Sequence, residues 1–153
     1  MFRPLLAALI IAPASLLAEI QPLDGVWSGQ GELVGQSGCP APIVTQMSGN
    51  LGNYTGEQLS FPSPFDPTAL IGFDIAWTAI GESAWRGTTV QAQPTQMGEI
   101  KATTVIDLTV NSPSQMSQVS NVTIELPQAV AAMLNMNGTS CALRTLVTHQ
   151  HGG

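Results

Sequence analysis

The chain closes on "TLVTHQHGG", and its two histidines, His149 and His151, are the only imidazoles in 153 residues. In a strand, residues two apart share a face, and two imidazole nitrogens on one face can bind a metal. Met133 and Met136 lie one helical turn apart shortly upstream. Thioethers suit Cu(I), which makes His149, His151, Met133 and Met136 a candidate copper set. The plainer reading is a frayed tail with methionines filling a core. Met116 falls in a stretch that reads as loop.

Other chemistry is thinly represented. A serine hydrolase needs a histidine as base, and both histidines sit at the chain's end with no Gly-x-Ser-x-Gly elbow anywhere. Asp66, Asp74, Glu82 and Glu99 are of the type that could supply a glycosidase's carboxylate pair. A content of 5% aromatic and 9% charged residues leaves little with which to line a sugar cleft. No glycine-rich phosphate loop is present. The sequence therefore predicts a protein that is not an enzyme and uses no cofactor.

The elements that must hold these groups read as strands. Ile71, Phe73, Ile75, Trp77 and Ala79 alternate with polar positions, as do the even residues from Ile100 to Val110 and Val122, Ile124 and Leu126. Weaker alternation marks Val26–Val34, Ile43–Ser48, Thr55–Phe61, Ala84–Gln93 and Thr139–Thr148. About eight strands predict an all-β fold, a small antiparallel barrel with a β-sandwich as the alternative. Gly81-Glu82 reads as a hairpin turn. "PQAVAAMLNMNG" predicts one short helix near 127–137, with Pro127 in its first turn and Asn137-Gly138 as its stop. "FPSPFDPT" is too rich in proline for a central strand and reads as a stiff loop. "NSPSQMSQVSN" reads as a softer one.

Residues 1–18, MFRPLLAALIIAPASLLA, carry one cation, an apolar stretch and small residues at the end, the anatomy of a secretory signal peptide. The apolar stretch is too short to span about 30 Å of hydrocarbon, and no later run is apolar enough to do so. Cleavage after Ala18 leaves residues 19–153 as a single domain, periplasmic or secreted. That part keeps three basic residues against ten acidic ones, a net charge near −7. Three cations cannot neutralise several phosphates, which excludes nucleic acid as a partner. Cys39 and Cys141 form the one possible pair, and in an oxidising compartment the default reading is a disulfide. Asn53, Asn121 and Asn137 fit the glycosylation sequon, which matters only in a eukaryotic secretory pathway.

The tryptophans remain. In "LDGVWSGQGEL", a strand would place Trp27, Gly29, Gly31 and Leu33 on one face. Two glycines beside an inward tryptophan mean either that an opposite wall packs in close or that a cavity forms. We read Trp27 as a plug. Trp77, Trp85 and Phe73 are the better candidates for a ligand wall.

Gly25-x-Trp27 at the start of the first strand resembles the signature of the calycin barrels: lipocalins, fatty-acid-binding proteins and avidins. The resemblance implies that Arg144, on the last strand, lies across Trp27 and seals the barrel floor, a sensible cation–π contact. A Cys39–Cys141 bridge would then tie the first hairpin to the last strand. Within calycins, "TALIGFDIAW" (68–77), "AWRG" (84–87) and "TLVTH" (145–149) are similar to avidin segments in the same order. By that likeness Trp77 and Trp85 would be walls of a ligand site. "SGQGEL" lacks the asparagine and serine that hold biotin's ureido group, and Gln150 stands where an acidic residue is expected, so biotin is not implied. The expectation is an exported binding module for a small apolar molecule. The alternative is a periplasmic accessory protein with a packed interior and a protein partner, or a minor copper-binding role.

Overall fold

The computed structural model describes residues 19–71 and 74–152. The expected leader and Phe73 lie outside the described residues. Seven strands and two short helices follow in order: β1 (Gly25–Ser37), α1 (Ala41–Gly49), β2 (Tyr54–Leu59), β3 (Ala76–Gly81), β4 (Ala84–Thr95), β5 (Gly98–Ser112), β6 (Gln115–Glu125), α2 (Gln128–Met133) and β7 (Ser140–His151). All seven strands belong to one antiparallel sheet, in the order β2-β1-β7-β6-β5-β4-β3. The fold is therefore all-β and antiparallel, as the alternation predicts. β3 to β7 form a meander, and β1 returns to lie against β7. The sheet is not closed into a barrel: β2 and β3 are its two ends.

The alternation sorts the two faces. Leu108 and Val110 of β5, Met116 of β6, and Leu143, Val147 and His149 of β7 are buried on the inner face. Arg86 and Asp107 face outward and form a two-pronged ion pair at 2.6 and 2.8 Å. Both partners reach water, so this pair contributes little to stability.

One end of the inner face is tightly packed. Trp27, Phe61, Phe65, Trp85, Leu108, Val110 and Met116 form the core. Four of them make a continuous edge-to-face chain: Trp27–Phe61 at 5.7 Å between ring centres, Phe61–Phe65 at 5.5 Å and Phe65–Trp85 at 5.0 Å. The middle two rings come from the proline-rich loop, so this loop joins β1 to β4 across the sheet's concavity. A strap of residues 20–24 runs beneath. Ile20 N–H donates to Ser83 Oγ (2.8 Å), and Leu23 N–H to the Pro113 carbonyl (2.9 Å). Asp24 Oδ1 accepts from Phe61 N–H at 2.7 Å.

Four segments differ from the sequence reading. Ile43–Ser48, expected as a weak strand, lies in α1. Pro40 and Pro42 preset the first helical turn, and the β-branched Ile43-Val44 pair gives a misleading strand signal. "NSPSQMSQVSN" contains only a tight turn before β6 begins at Gln115. Its inward residues include Gln118 and Ser120, so polarity on both faces hides the period of two. The strand expected over Ile71–Ala79 begins at Ala76, after a single 3₁₀ turn at Pro67–Ala69. α2 is shorter than the 127–137 pattern: it ends at Met133, and Asn135 just beyond it takes a left-handed φ of 54°.

Cys39 and Cys141 are joined in a disulfide, with Cα atoms 4.8 Å apart. It ties the end of β1 to the start of β7 and closes a loop of 102 residues. Reduction should lower the unfolding free energy by up to about 4–5 kcal/mol on the chain-entropy account. Urea titration with and without reductant measures this.

The two inward glycines of β1, Gly29 and Gly31, are both closely covered, by the Tyr54 ring and by the Leu51 backbone. A Cβ on Gly31 would strike the Leu51 carbonyl oxygen, which is backbone and cannot step aside. At Gly35 the nearest atom to such a Cβ is the Arg144 Cβ, an ordinary 3.6 Å away. Gly31→Ala should therefore cost about 1–3 kcal/mol, and Gly35→Ala close to nothing. Thermal or urea unfolding of the two variants checks the difference.

Candidate functional site

Above the aromatic floor the inner face turns polar and opens. Two adjoining cavities lie here and share Gly52, Ile106, Gln118 and Val147. The outer one, about 350 Å³, is lined by Leu51 and by Thr89, Thr104, Ser120 and Thr145 from β4 to β7. The inner one, about 230 Å³, is lined by Leu59, Leu70 and Ile71 together with Tyr54, Glu57 and His149. A wider groove of about 500 Å³ lies where β1 and β2 part, among Ser28, Gln30, Thr55, Thr148 and Gln150. Apart from Tyr54, which it shares with the inner cavity, its side chains reach water.

Two residues of the inner cavity wall, Tyr54 and His149, are brought together across Gly29. That residue pairs with His149 of β7 on one side and with Tyr54 of β2 on the other. Because Gly29 has no Cβ, the Tyr54 ring lies directly over it, where any side chain would clash. The phenol thus reaches across β1, and its Oη sits 2.9 Å from His149 Nδ1. Burial, aided by the nearby Glu57 carboxylate, pushes the Tyr54 hydroxyl up to about 12, so it keeps its proton. The phenol donates in this bond when the imidazole hydrogen lies on Nε2 and accepts when it lies on Nδ1.

His149 is 4% exposed, and its Nε2 has no hydrogen-bond partner among the described residues. Burial lowers its pKa to about 4, so the ring is neutral at physiological pH. Trp77 Nε1 is likewise buried without a partner. Its indole packs over Gly87, where a Cβ would come within 2.9 Å of the ring. Gly87 in turn pairs with Ile106, a residue of the cavity wall.

The expected site residues are distributed as follows. Trp27 is fully buried in the floor, with its Nε1 donating to the Leu23 carbonyl at 2.9 Å. Arg144 does not lie on it. Arg144 pairs with Gly35 and Asn121, far up β7, and points outward. Its expected place is taken by His151, the direct partner of Trp27, whose ring meets the indole edge-on at 5.4 Å. Trp85 belongs to the packed floor, and Trp77 stands higher, half-buried. Phe73 lies outside the described residues. His149 and His151 do share the inner face, yet each ring has its own partner, the latter holding Asp24 O at 3.2 Å. Met133 and Met136 are in and just after α2, before β7 begins, whereas the histidines end that strand. The proposed copper set is thus split between opposite ends of β7, and Met133 is 70% exposed. The sulfur beside His149 is Met116, its cross-strand partner on β6.

The carboxylates are also scattered. Asp66 caps the 3₁₀ turn by accepting from Thr68 N–H at 2.9 Å. Glu82 sits in the β3–β4 turn, and Glu99 near the start of β5, at the other end of the sheet. Among the described residues no helix is long and apolar enough to cross a membrane, and no three His, Cys, Asp or Glu side chains cluster as metal ligands do. No protein family matches the chain, and neither curated proteins nor solved structures show significant similarity to it.

The depressed His149 pKa makes stability depend on pH. The unfolded chain takes up this proton near 6.5 and the folded chain only near 4. Folding is therefore fully favoured above pH 6.5 and loses up to about 3 kcal/mol as pH falls to 4. Urea unfolding at pH 7 and 4.5 should show the loss, and His149→Phe should flatten it.

Proposed function

We propose that the chain is an exported, non-catalytic binding protein that holds a small, largely apolar molecule on the inner face of its sheet. The observation that carries this reading is the cavity of about 230 Å³ beside His149. Its wall joins aliphatic side chains to a few polar ones, Tyr54, Glu57, Gln118 and His149, the usual make-up of a ligand site. The Cys39–Cys141 bridge is compatible with an oxidising compartment, and the leader-like residues 1–18 support export. The likeness of Gly25-x-Trp27 to calycin barrels supports a ligand inside the curve of the sheet. The site lies higher than Trp85 and is centred on Tyr54, Ile106 and His149, with Trp77 as a neighbour.

A second reading, an accessory protein with a protein partner, is favoured by one observation. β2 and β3 end the sheet without pairing to each other, and such edges accept an added strand.

Native mass spectrometry of protein taken unrefolded from its exporting host tests the first reading. A neutral molecule retained one-to-one by the wild type and lost in Ile106→Phe, which fills the cavity, is the expected result. An adduct indifferent to that substitution overturns the assignment. A bound polypeptide without a small molecule would favour the second reading.

A further inference from the structure

We propose that the notch in the sheet beyond the start of β3 binds an extended segment of a partner protein as a strand added to β4. That segment carries an aliphatic residue over the outer cavity and basic residues at its ends. The inference rests on the protein-partner reading above and names the edge and the chemistry of the partner.

The register exposes the notch. β4 runs from Ala84 to Thr95, but β3 covers it only as far as Thr88, the partner of Ala76. In an antiparallel sheet successive residues turn their N–H and C=O groups to opposite sides. The Ser83 carbonyl, just before β4, accepts from Val110 N–H at 2.9 Å. The odd residues of β4 therefore bond to β5, and the even ones face the β3 side. Arg86 and Thr88 meet β3 there. Val90 and Ala92 do not, and both are exposed, Val90 to 54%. Pro94 has the same parity and lacks an N–H, which ends the notch toward the β4–β5 turn. Val90 and Ala92 thus offer two donors and two acceptors, enough for two ladder pairs.

The other edges are less receptive. β2 carries Glu57 and a left-handed Gly56 with a φ of 67°, the charge and kink that guard natural sheet edges. β3 is bulged near its end, and none of the cavities described above reaches it. The notch does adjoin one. A residue placed opposite Gln91 would stand on the same face as Gln91, which with Thr89 lines the outer cavity of about 350 Å³. None of that cavity's lining side chains is charged, and Met47, Leu51, Ile106, Val122 and Val147 make much of it aliphatic. It therefore suits an aliphatic side chain. Strand addition with a pocket for an alternate side chain is a recurring mode of peptide recognition.

Charge sets the ends of the segment. Asp74, two residues before β3, and Glu99, the partner of Pro94, are exposed carboxylates at the two limits of the notch. The cations nearby are engaged, Arg86 with Asp107 and Lys101 with Glu125 at 3.6 Å. An uncharged slot between acidic limits favours basic ends and disfavours a second copy of this acidic chain.

The test titrates the disulfide-bonded, ¹⁵N-labelled protein by NMR with three peptides. These are acetyl-KTVLVK-amide, the acidic acetyl-ETVLVE-amide, and the basic peptide N-methylated at both valines. The basic peptide should shift the Val90 and Ala92 amide signals and protect them from hydrogen exchange. The N-methylated peptide should bind about tenfold more weakly or worse, having lost two donors. The acidic peptide should bind about fivefold more weakly. Ala92→Pro removes a donor that the β5 ladder does not use, and should cost about tenfold. Should that variant not fold, the N-methylated peptide carries the same test on the wild type. Equal affinity of the N-methylated peptide overturns strand addition. Tightest binding of the acidic peptide overturns the charge assignment. Shifts confined to β2 or β3 overturn the choice of edge but leave the protein-partner reading standing. Concentration-dependent shifts of Val90 and Ala92 without peptide would give the notch to a second copy and overturn the inference. No response to any of the peptides at millimolar concentration overturns both.

Discussion

The structure depends on two phenylalanines from a loop. Phe61 and Phe65 stand between Trp27 and Trp85, whose strands are separated by three others in the sheet. A flat sheet would hold those tryptophans well apart, and the loop rings join them only because the sheet curls. Curvature, burial and the floor are thus one packing event. Edge-to-face aromatic pairs add about 0.5–1.5 kcal/mol each beyond the apolar area they cover. Their larger effect is geometric: they hold the β1 and β4 ends of the sheet around one centre and leave space only above it.

The wall of that space depends on β1 carrying glycine where its neighbours carry side chains. Gly29 lets a ring from β2 cross to β7, and Gly31 lets the Leu51 backbone come close. The inner face is consequently layered. Aromatics fill the bottom, one tyrosine–histidine pair occupies the middle, and threonine, serine and glutamine line the opening. Desolvation follows the same gradient. The imidazole of His149 is neutral because it lies on the aromatic side of that boundary. His151, one step lower on the strand, spends its nitrogen on the Asp24 backbone.

Much of this architecture is legible in the sequence. The alternation of β5 marks that strand and its faces, weaker alternation marks β7, and the two cysteines are enough to name the disulfide. Trp27 reads as a plug, while its neighbouring glycines leave a close wall and a cavity equally open until the structure is seen. The site itself is not legible. Tyr54 is the only tyrosine in the chain, yet nothing local ties it to His149, 95 residues away; only the shared pairing with Gly29 does so. The calycin likeness implies a cation over Trp27, and the register instead supplies His151. Gln118 and Ser120 are disguised as loop because their strand faces a polar cavity instead of an oily core. The copper set reads plausibly along the chain because sequence distance conceals that α2 and the histidines bracket a twelve-residue strand.

The pairing of β1 with β7 has a consequence for how the molecule comes into being. β1 is the first strand to be made and β7 the last, and the disulfide that joins them spans 102 residues. β1 must therefore wait with one edge unsatisfied until β7 has been made. Contacts of such long range slow folding, and a waiting strand invites wrong partners. The composition of β1, GVWSGQGELVGQS, suits a strand that waits. Its glycines and glutamines keep it soluble and weakly sticky, and the single tryptophan is committed only when the floor assembles. The same glycines that make room for Tyr54 in the finished protein would thus protect the unfinished one.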